Sequence, residues 1–242
     1  MGSSRSKYGT ESYRRAYALA APVYDLLHIM VFALHGGRRG VWMKAIQSVP
    51  YKDEEKILDV CCGTGYLESL LLDSVEPHVQ VVGIDLSEHQ VRVAKKRLCV
   101  PNVQFLSGDA RQVPFEDDHF EKSFINFALH EMPGDVRKAI LTELLRVTKK
   151  DGRIVILEGN RPSRRLDRFL MYLSFFKWWP WCVDHPHSRD VWRTDYVSEL
   201  EDCGMTILTR EAFSREFFQI IVARPSEDSK RSSRGSGDRG PH

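Results

Sequence analysis

Short apolar runs of strand length alternate with segments of helical spacing from Lys56 to Val147, and this alternation confines the chain to a largely parallel sheet with crossover helices. Lys56–Val60 reads as the first strand. Tyr66–Ser74, with Leu67, Leu70 and Leu71 at helical spacing, reads as the first crossover. Val79–Ile84 is the second strand, closed by Asp85, and Ser87 is placed to cap a helix over Glu88–Leu98 whose apolar face holds Val91 and Ala94. Val103–Leu106 and Lys122–Ala128 follow as strands three and four, then an amphipathic helix over Val136–Val147. Lys150-Asp151-Gly152 should turn into strand five, Arg153–Leu157. A helix over Val191–Cys203, stopped by Gly204, precedes two β-rich runs, Thr206–Thr209 and Phe217–Ala223. Few residues separate these runs, so they should pair antiparallel.

With 242 residues the chain is long enough for one α/β domain with its own core. That domain is expected over residues 11–225, between polar ends at 1–10 and 226–242 that carry no apolar period. Lys and Arg total 35 against 33 acidic residues, which lacks the basic excess of a general nucleic-acid binder, so no nucleic-acid partner is expected. Cys61, Cys62, Cys99, Cys182 and Cys203 form neither a C-x-x-C pair nor a zinc spacing, which points to free thiols in a reducing, cytoplasmic setting. Met1–Tyr17 lacks the apolar centre of a secretory leader. The apolar runs Val23–Leu34 and Phe169–Phe176 are too short and interrupted to span a bilayer. Met1-Gly2-Ser3-Ser4-Arg5-Ser6 fits the loose pattern for acylation of Gly2, which a polar, disordered start also meets by chance.

Chemistry concentrates after the strands. Leu58-Asp59-Val60-Cys61-Cys62-Gly63-Thr64-Gly65-Tyr66-Leu67 is a strand, a glycine turn and a helix, a loop whose backbone can approach a ligand closely. Dinucleotide enzymes use a similar loop, but here Glu68 stands where their third glycine falls, and a carboxylate suits a pyrophosphate poorly. Asp59 stands just before the loop, where it could meet a cationic ligand group directly or through water. Asp85, about twenty residues on, can accept both ribose hydroxyls of an adenosine, or serve only as an acid at a helix N-terminus.

The order of the remaining signals separates these readings. Gly108-Asp109-Ala110 follows strand three, then Val113-Pro114-Phe115, then Asp118 and Phe120 opening strand four. Asn126-Phe127-Ala128-Leu129-His130 ends that strand, and Arg146-Val147 leads to Asp151-Gly152. From Leu58 to Glu158 this succession resembles the class I S-adenosylmethionine-dependent methyltransferases, closest to the group that C-methylates quinone precursors of ubiquinone and menaquinone. Ala21-Pro22-Val23-Tyr24-Asp25, with Gly37 and Trp42, is similar to the same group. The resemblance spans about two thirds of the chain and implies a Rossmann-like fold: a seven-stranded, mostly parallel sheet with helices on both faces and an antiparallel last strand. It implies S-adenosyl-L-methionine as cofactor, with Gly63, Thr64 and Gly65 wrapping its methionine end and Asp85 on the ribose. Asp109 would accept from the adenine amino group, the Ala110 amide would donate to a ring nitrogen, and Asn126 would lie where strand four meets the cofactor. His130-Glu131 replaces the arginine-containing segment of the quinone enzymes, which leaves the acceptor open between a quinone-like and a lipid molecule. An NAD-dependent oxidoreductase shares the glycine loop and Asp85 but does not account for Gly108-Asp109-Ala110 or the antiparallel tail. A catalytically silent cofactor-binding protein is the other alternative.

Methyl transfer asks the protein for positioning, exclusion of water and sometimes a base. His130, at the carboxyl edge of the sheet, is the leading base candidate, against a reading as a helix-starting histidine bonded to a nearby loop; Glu131 and Glu158 are lesser candidates. Asp184-His185-Pro186-His187 lacks ligand spacing on one helix face, so no metal is expected and a polar loop at the substrate mouth is. An insertion, Asn160–Asp190, sets Arg161, Arg164, Arg165 and Arg168 beside an aromatic run from Phe169 to Trp181. It reads as a lid over a small hydrophobic acceptor, as a weak peripheral contact with a membrane surface through 161–181, or as both. Leu166, Phe169, Leu170 and Leu173 form one helical face expected to pack on the domain.

Overall fold

Parallel pairing of one central strand with a neighbour on each side organises the molecule. The computed structural model describes residues 32–33, 36–75, 78–172 and 194–226. β1 (Lys56–Val60) lies between β2 (Gln80–Asp85) and β4 (Phe120–Asn126), parallel to both. β3 (Val103–Ser107), β5 (Thr148–Gly159), β6 (Met205–Phe213) and β7 (Phe218–Pro225) complete one sheet of order β3-β2-β1-β4-β5-β7-β6. β7 runs antiparallel to both β5 and β6, as the short connection requires. The chain builds outward from β1 to β3 and then restarts on the other side with β4. That reversal opens a crevice between the carboxyl ends of β1 and β4, where sheets of this kind hold ligands.

Side-chain alternation assigns each residue to a layer. Ile57, Phe124, Val155, Leu157, Ile220 and Val222 face α1 (Gly37–Gln47) and α2 (Tyr66–Ser74) through Val41, Trp42, Ala45, Leu67, Leu70 and Leu71. Leu58, Val60, Ile125, Ile154, Ile156 and Ile221 face α4 (Gly134–Val147) and α6 (Tyr196–Asp202) through Ile140, Leu141, Leu144, Tyr196 and Leu200. Both faces are covered, which is why apolar residues of the central strands point to both sides of the sheet. Val91 and Ala94 of α3 (Glu88–Arg97) close on Phe105 of β3, and the Ser87 hydroxyl caps α3 by accepting from the Gln90 N–H.

Three elements depart from expectation. β4 starts and stops two residues early, because Phe127 takes a left-handed φ of 49° that a strand cannot continue. β5 absorbs the expected turn. Phe120 pairs with Thr148 and Lys122 with Arg153, so residues 149–152 bulge out of a single long strand. On the helical face expected to pack on the domain, Leu166 and Phe169 of α5 (Arg165–Tyr172) are instead 66% and 56% exposed, while Leu173 and the Leu170 side chain lie outside what is described. Asp167 turns inward instead, buried beside Arg215 at 3.7 Å, while the Arg168 guanidinium folds back on the Pro162 and Ser163 carbonyls. No helix among the described residues is long and apolar enough to cross a membrane. The N-terminal residues 1–10 and 21–25, the aromatic run 175–181, Asp184-His185-Pro186-His187 and the tail from 227 lie outside the described residues.

On the α2 face of the sheet, Phe105, Gly83, Asp59, Phe124, Val155 and Val222 stand side by side in register. Gly83 leaves the gap in that row which the Glu68 side chain from α2 fills. A Cβ at Gly83 would strike the Glu68 carboxyl and come within 2.7 Å of the Phe105 ring. Gly83→Ala should therefore cost about 1–3 kcal/mol, the usual range for overpacking a filled core, read as a lower urea midpoint. An unchanged midpoint would show that Glu68 does not occupy this gap.

Candidate active site

The loop after β1 is bent by residues with left-handed backbone: Cys61 at φ 59°, Gly63 at 57° and Gly65 at 74°. Gly65 has a second reason to be glycine, since a Cβ there would sit 2.8 Å from Phe105 Cζ. Gly63 is different. Nothing lies within 4 Å of its would-be Cβ, so the loop presents bare backbone to open space. The loop is tied down on its other side. The Cys62 N–H donates to the Ile84 carbonyl at 3.1 Å, and the Gly63 N–H to Asp85 Oδ2 at 2.9 Å. Asp85 Oδ1 accepts from the Ser87 N–H at 2.8 Å. Burial raises the Asp85 carboxyl above its ordinary value, while these two amides pull it back down. Each oxygen of a carboxylate has two acceptor sites, so Asp85 keeps one on each for a ligand.

Behind the loop lie two further acids. Asp59 is 2% exposed and accepts from the Asn126 amide at 3.3 Å, which joins the ends of β1 and β4 across the crevice. Asn126 Oδ1 is buried with no partner, and neither oxygen of fully buried Glu68 has one. Burial raises the Glu68 carboxyl to about 8, and the charge on Asp85 adds to it; the amide of its own residue pulls it down without forming a bond. Asp59 is raised too, by burial first and then by Glu68. Two acids packed into one apolar layer cannot both ionise cheaply, so this pair keeps a proton at neutral pH.

At the end of β3, Asp109 is held by Arg111. The guanidinium reaches Oδ1 and Oδ2 at 3.0 Å and Oδ2 at 2.6 Å, and the Arg111 N–H adds a bond to Oδ1 at 2.9 Å. Hydrogen bonds from Arg111 keep the Asp109 carboxyl below its ordinary value. Three N–H donors of Arg111 thus engage both oxygens of Asp109, the Nε–H being shared between them. Ala110, buried beside it, belongs to the α4-side core.

His130 sits in a single 3-10 turn, Leu129–Glu131, just beyond β4. Its Nδ1 lies 2.8 Å from Glu158 Oε1, and Glu158 Oε2 accepts from the His130 N–H at 3.2 Å. Glu131 Oε1 is 3.8 Å from Nε2. Burial by itself would lower the imidazole, but the Glu158 charge and hydrogen bond, with Glu131 behind them, override it and hold the ring at about 9. His130 is thus an imidazolium at neutral pH, with Glu158 buried beneath it and its own side chain 22% exposed. In that form the ring is a hydrogen-bond donor, whereas the base role expected of it uses the neutral ring. The partner was legible only as a lesser acid in the sequence, because the β4–β5 pairing that brings Glu158 alongside is long-range.

Sequence reasoning missed the wall opposite. Phe127 packs against Phe32, Trp42 and Phe218 at ring distances of 5.4, 5.0 and 5.5 Å. Its strained φ turns the ring into this cluster at the mouth of the crevice, and strain of this kind gathers at functional sites.

Residues 10–182 match the ubiE/COQ5 methyltransferase family. The chain belongs to that family. It is 34% identical over 175 residues to demethylmenaquinone methyltransferases of Staphylococcus aureus strains JH9 and Newman, an overlap covering 71% of this chain and 70% of theirs. Its fold is shared with a SAM-dependent methyltransferase of Aquifex aeolicus, with a TM-score of 0.61, 20% identity, and 84% of this chain and 96% of that one covered. It is shared as well with the [4+2]-cyclase SpnF, with a TM-score of 0.69, 18% identity, and 90% and 97% covered. The last likeness is one of fold alone, since one scaffold carries different reactions. Family membership makes this chain an S-adenosylmethionine-dependent methyltransferase and sets the oxidoreductase reading aside.

In this family member the His130–Glu158 pair should be visible directly. The carbon-bound ring protons of His130 should titrate near pH 9 by NMR. Glu158→Gln should bring that midpoint down by roughly 1–3 units, the effect of removing an adjacent opposite charge. Because the folded value lies above the ordinary 6.5, the pair supports the fold fully below that pH and loses its contribution as pH climbs through 9. A midpoint near 6.5 in the unaltered protein would dissolve the dyad.

Proposed function

We propose that the crevice between β1 and β4 holds S-adenosylmethionine and directs its methyl group to a small acceptor with an ionisable ring hydroxyl and an apolar tail, of the quinone-like class. The observation that carries this reading is the open backbone face at Gly63 next to an Asp85 carboxylate pinned in place with acceptor sites to spare. Gly63, Thr64 and Gly65 would wrap the methionine end, and Asp85 would accept from the ribose hydroxyls. Asp59 and the partnerless Asn126 Oδ1 suit the cofactor's ammonium group, a donor that satisfies both. Asp109 would take the adenine amino group on the acceptor site that Arg111 leaves, with the Ala110 amide beside it. The cofactor supplies an electrophilic methyl on a sulfonium that departs as a neutral thioether.

The residues of the chain then do three things. They align the acceptor, keep water out and manage one charge. His130, cationic and aimed by Glu158, would donate its Nε2 proton in a hydrogen bond to the acceptor's ring oxygen and stabilise the oxyanion form. With its proton given up to solvent, that oxygen would share its negative charge with the neighbouring ring carbon and make it the nucleophile. The hydrogen on that carbon would then return to the oxygen through solvent as the ring regains aromaticity, so that one proton is released per methyl transferred. The aromatic wall around Phe127 would hold the ring flat against the crevice. The demethylmenaquinone relatives, named for an acceptor of this kind, support the class.

An apolar tail needs a route from lipid, and α5 offers one. Leu166 and Phe169 are exposed close to Arg164 and Arg165, which suits contact with an anionic headgroup layer. Residues 11–225 are read as one catalytic unit with 160–190 as its acceptor-side lid.

A single assay tests these roles: transfer of labelled methyl to a reduced, isoprenoid-tailed demethylmenaquinone analogue in anionic vesicles. The unaltered protein should label the ring. His130→Ala should lower turnover about a hundredfold with affinity for S-adenosylhomocysteine unchanged. Leu166→Glu with Phe169→Glu should slow the vesicle reaction while sparing a tail-less soluble analogue. No labelling of any ring acceptor sinks the assignment of class, and equal turnover by His130→Ala removes the histidine from it.

A further inference from the structure

Among the described residues, Glu68 is the one fully buried acid that the proposed transfer leaves unused. It enters from the first turn of α2, and its carboxyl fills the gap at Gly83, in register beside Asp59. The groups facing it are Asp59 from β1, Asp85 from β2 and the Cys62 thiol from the loop, while β3 contributes the uncharged Phe105 ring. Among the described residues no lysine, arginine or histidine is paired with it, and both of its oxygens lack a hydrogen-bond partner. Nor are any three acids, thiols or histidines among those residues placed to hold a metal ion. Charge compensation in this layer therefore falls to a proton, and the neighbour that leads from Glu68 to the crevice is Asp59, tied to Asn126.

From this arrangement we infer that Glu68 is a positioning residue that couples cofactor binding to proton release: Asp59 and Glu68 share one proton in the free protein, and the cofactor's ammonium group expels it. The inference rests on the placement of that ammonium at Asp59 and Asn126. A cation arriving beside Asp59 favours the ionised form of the pair by roughly 1–3 pH units, the range for an opposite charge a few ångströms away. The proton passes to solvent buffer, and no covalent bond changes. With Glu68 titrating at about 8 in the free protein, release is expected from about pH 6 to 8. Across that window affinity should rise with pH, by up to about tenfold per unit for a one-proton linkage. The resting site is then close to neutral, and its full negative charge is developed only against the cation it binds.

Glu68 also acts on stability, with a sign that can be worked out. Its folded value of about 8 lies above the ordinary 4.5, so its contribution is full below pH 4.5 and is lost as pH rises through 8. Glu68→Gln should flatten that decline. A merely structural buried acid would do the same, so stability alone does not decide the matter.

The deciding experiment is calorimetry of S-adenosylhomocysteine with the full chain at about pH 7, in two buffers of different ionisation enthalpy. The unaltered protein should release close to one proton per ligand bound, and Glu68→Gln should bind with almost no release and with affinity flat from about pH 6 to 7.5. Binding without release by the unaltered protein overturns the inference, and that arm needs no variant to fold. Equal release by a folded Glu68→Gln overturns it as well, handing the proton to another acid. A failure of the ligand to bind at all overturns instead the placement of the cofactor on which the inference rests.

Discussion

One hydrogen bond holds the chemistry of this molecule to its architecture: the Gly63 N–H donating to the Asp85 carboxylate at 2.9 Å. It joins the loop after β1 to the end of β2, and it exists only because the two strands are parallel and end at the same level. With the loop tied on that side, the opposite side of Gly63 is free, and the bare backbone becomes a surface for a ligand. The same bond sets the Asp85 oxygens in place beside the crevice. Loss of the parallel register would separate the two halves of the site by a residue and turn Asp59 to the other face of the sheet.

Buried charge is handled in two ways at this edge. His130 is stabilised by a full counter-charge, Glu158, lying 1% exposed beneath it. Asp59 and Glu68 have no such cation and hold a proton. The first arrangement stays charged across neutral pH and suits the stabilisation of an anion. The second waits for a cation from outside. The pairs lie on opposite faces of the sheet, Asp59 and Glu68 under the α2 layer and Glu158 on the face of Ile154 and Ile156, and burial strengthens both, since charges interact weakly in water and strongly where it is absent.

Local signals carried the fold far. β1, α2 and the Ser87 cap are legible in apolar spacing and in one hydroxyl residue, because short-range geometry decides them. The seven-stranded, mostly parallel sheet with an antiparallel β7 is the one the family's succession of motifs implies, and Gly63 and Asp85 meet at one edge of it. What stayed hidden depends on partners distant in the chain or on side-chain reach. Arg111 on Asp109, Glu158 beneath His130 and Arg215 beside Asp167 on α5 are partners that no single residue's type announces. Glu68 showed in the sequence only as an ill fit for a pyrophosphate. Its neighbour Gly83, which makes the room for it, carries no local mark of that role. The fold, shared with a cyclase, does not by itself supply the acceptor.

The central claim is that the carboxyl edge of β1, β2, β3 and β4 is where the methyl donor binds. Amide hydrogen exchange with and without saturating S-adenosylhomocysteine reads that edge directly. Slowed exchange should concentrate in residues 61–68, 85–87, 108–111 and 126–131, which converge there from four strands. The opposite edge, at 118–122 and 148–153, should exchange at the same rate in both states. Protection confined to the opposite edge, or spread evenly through the chain with none at Gly63 and Asp85, would contradict the account.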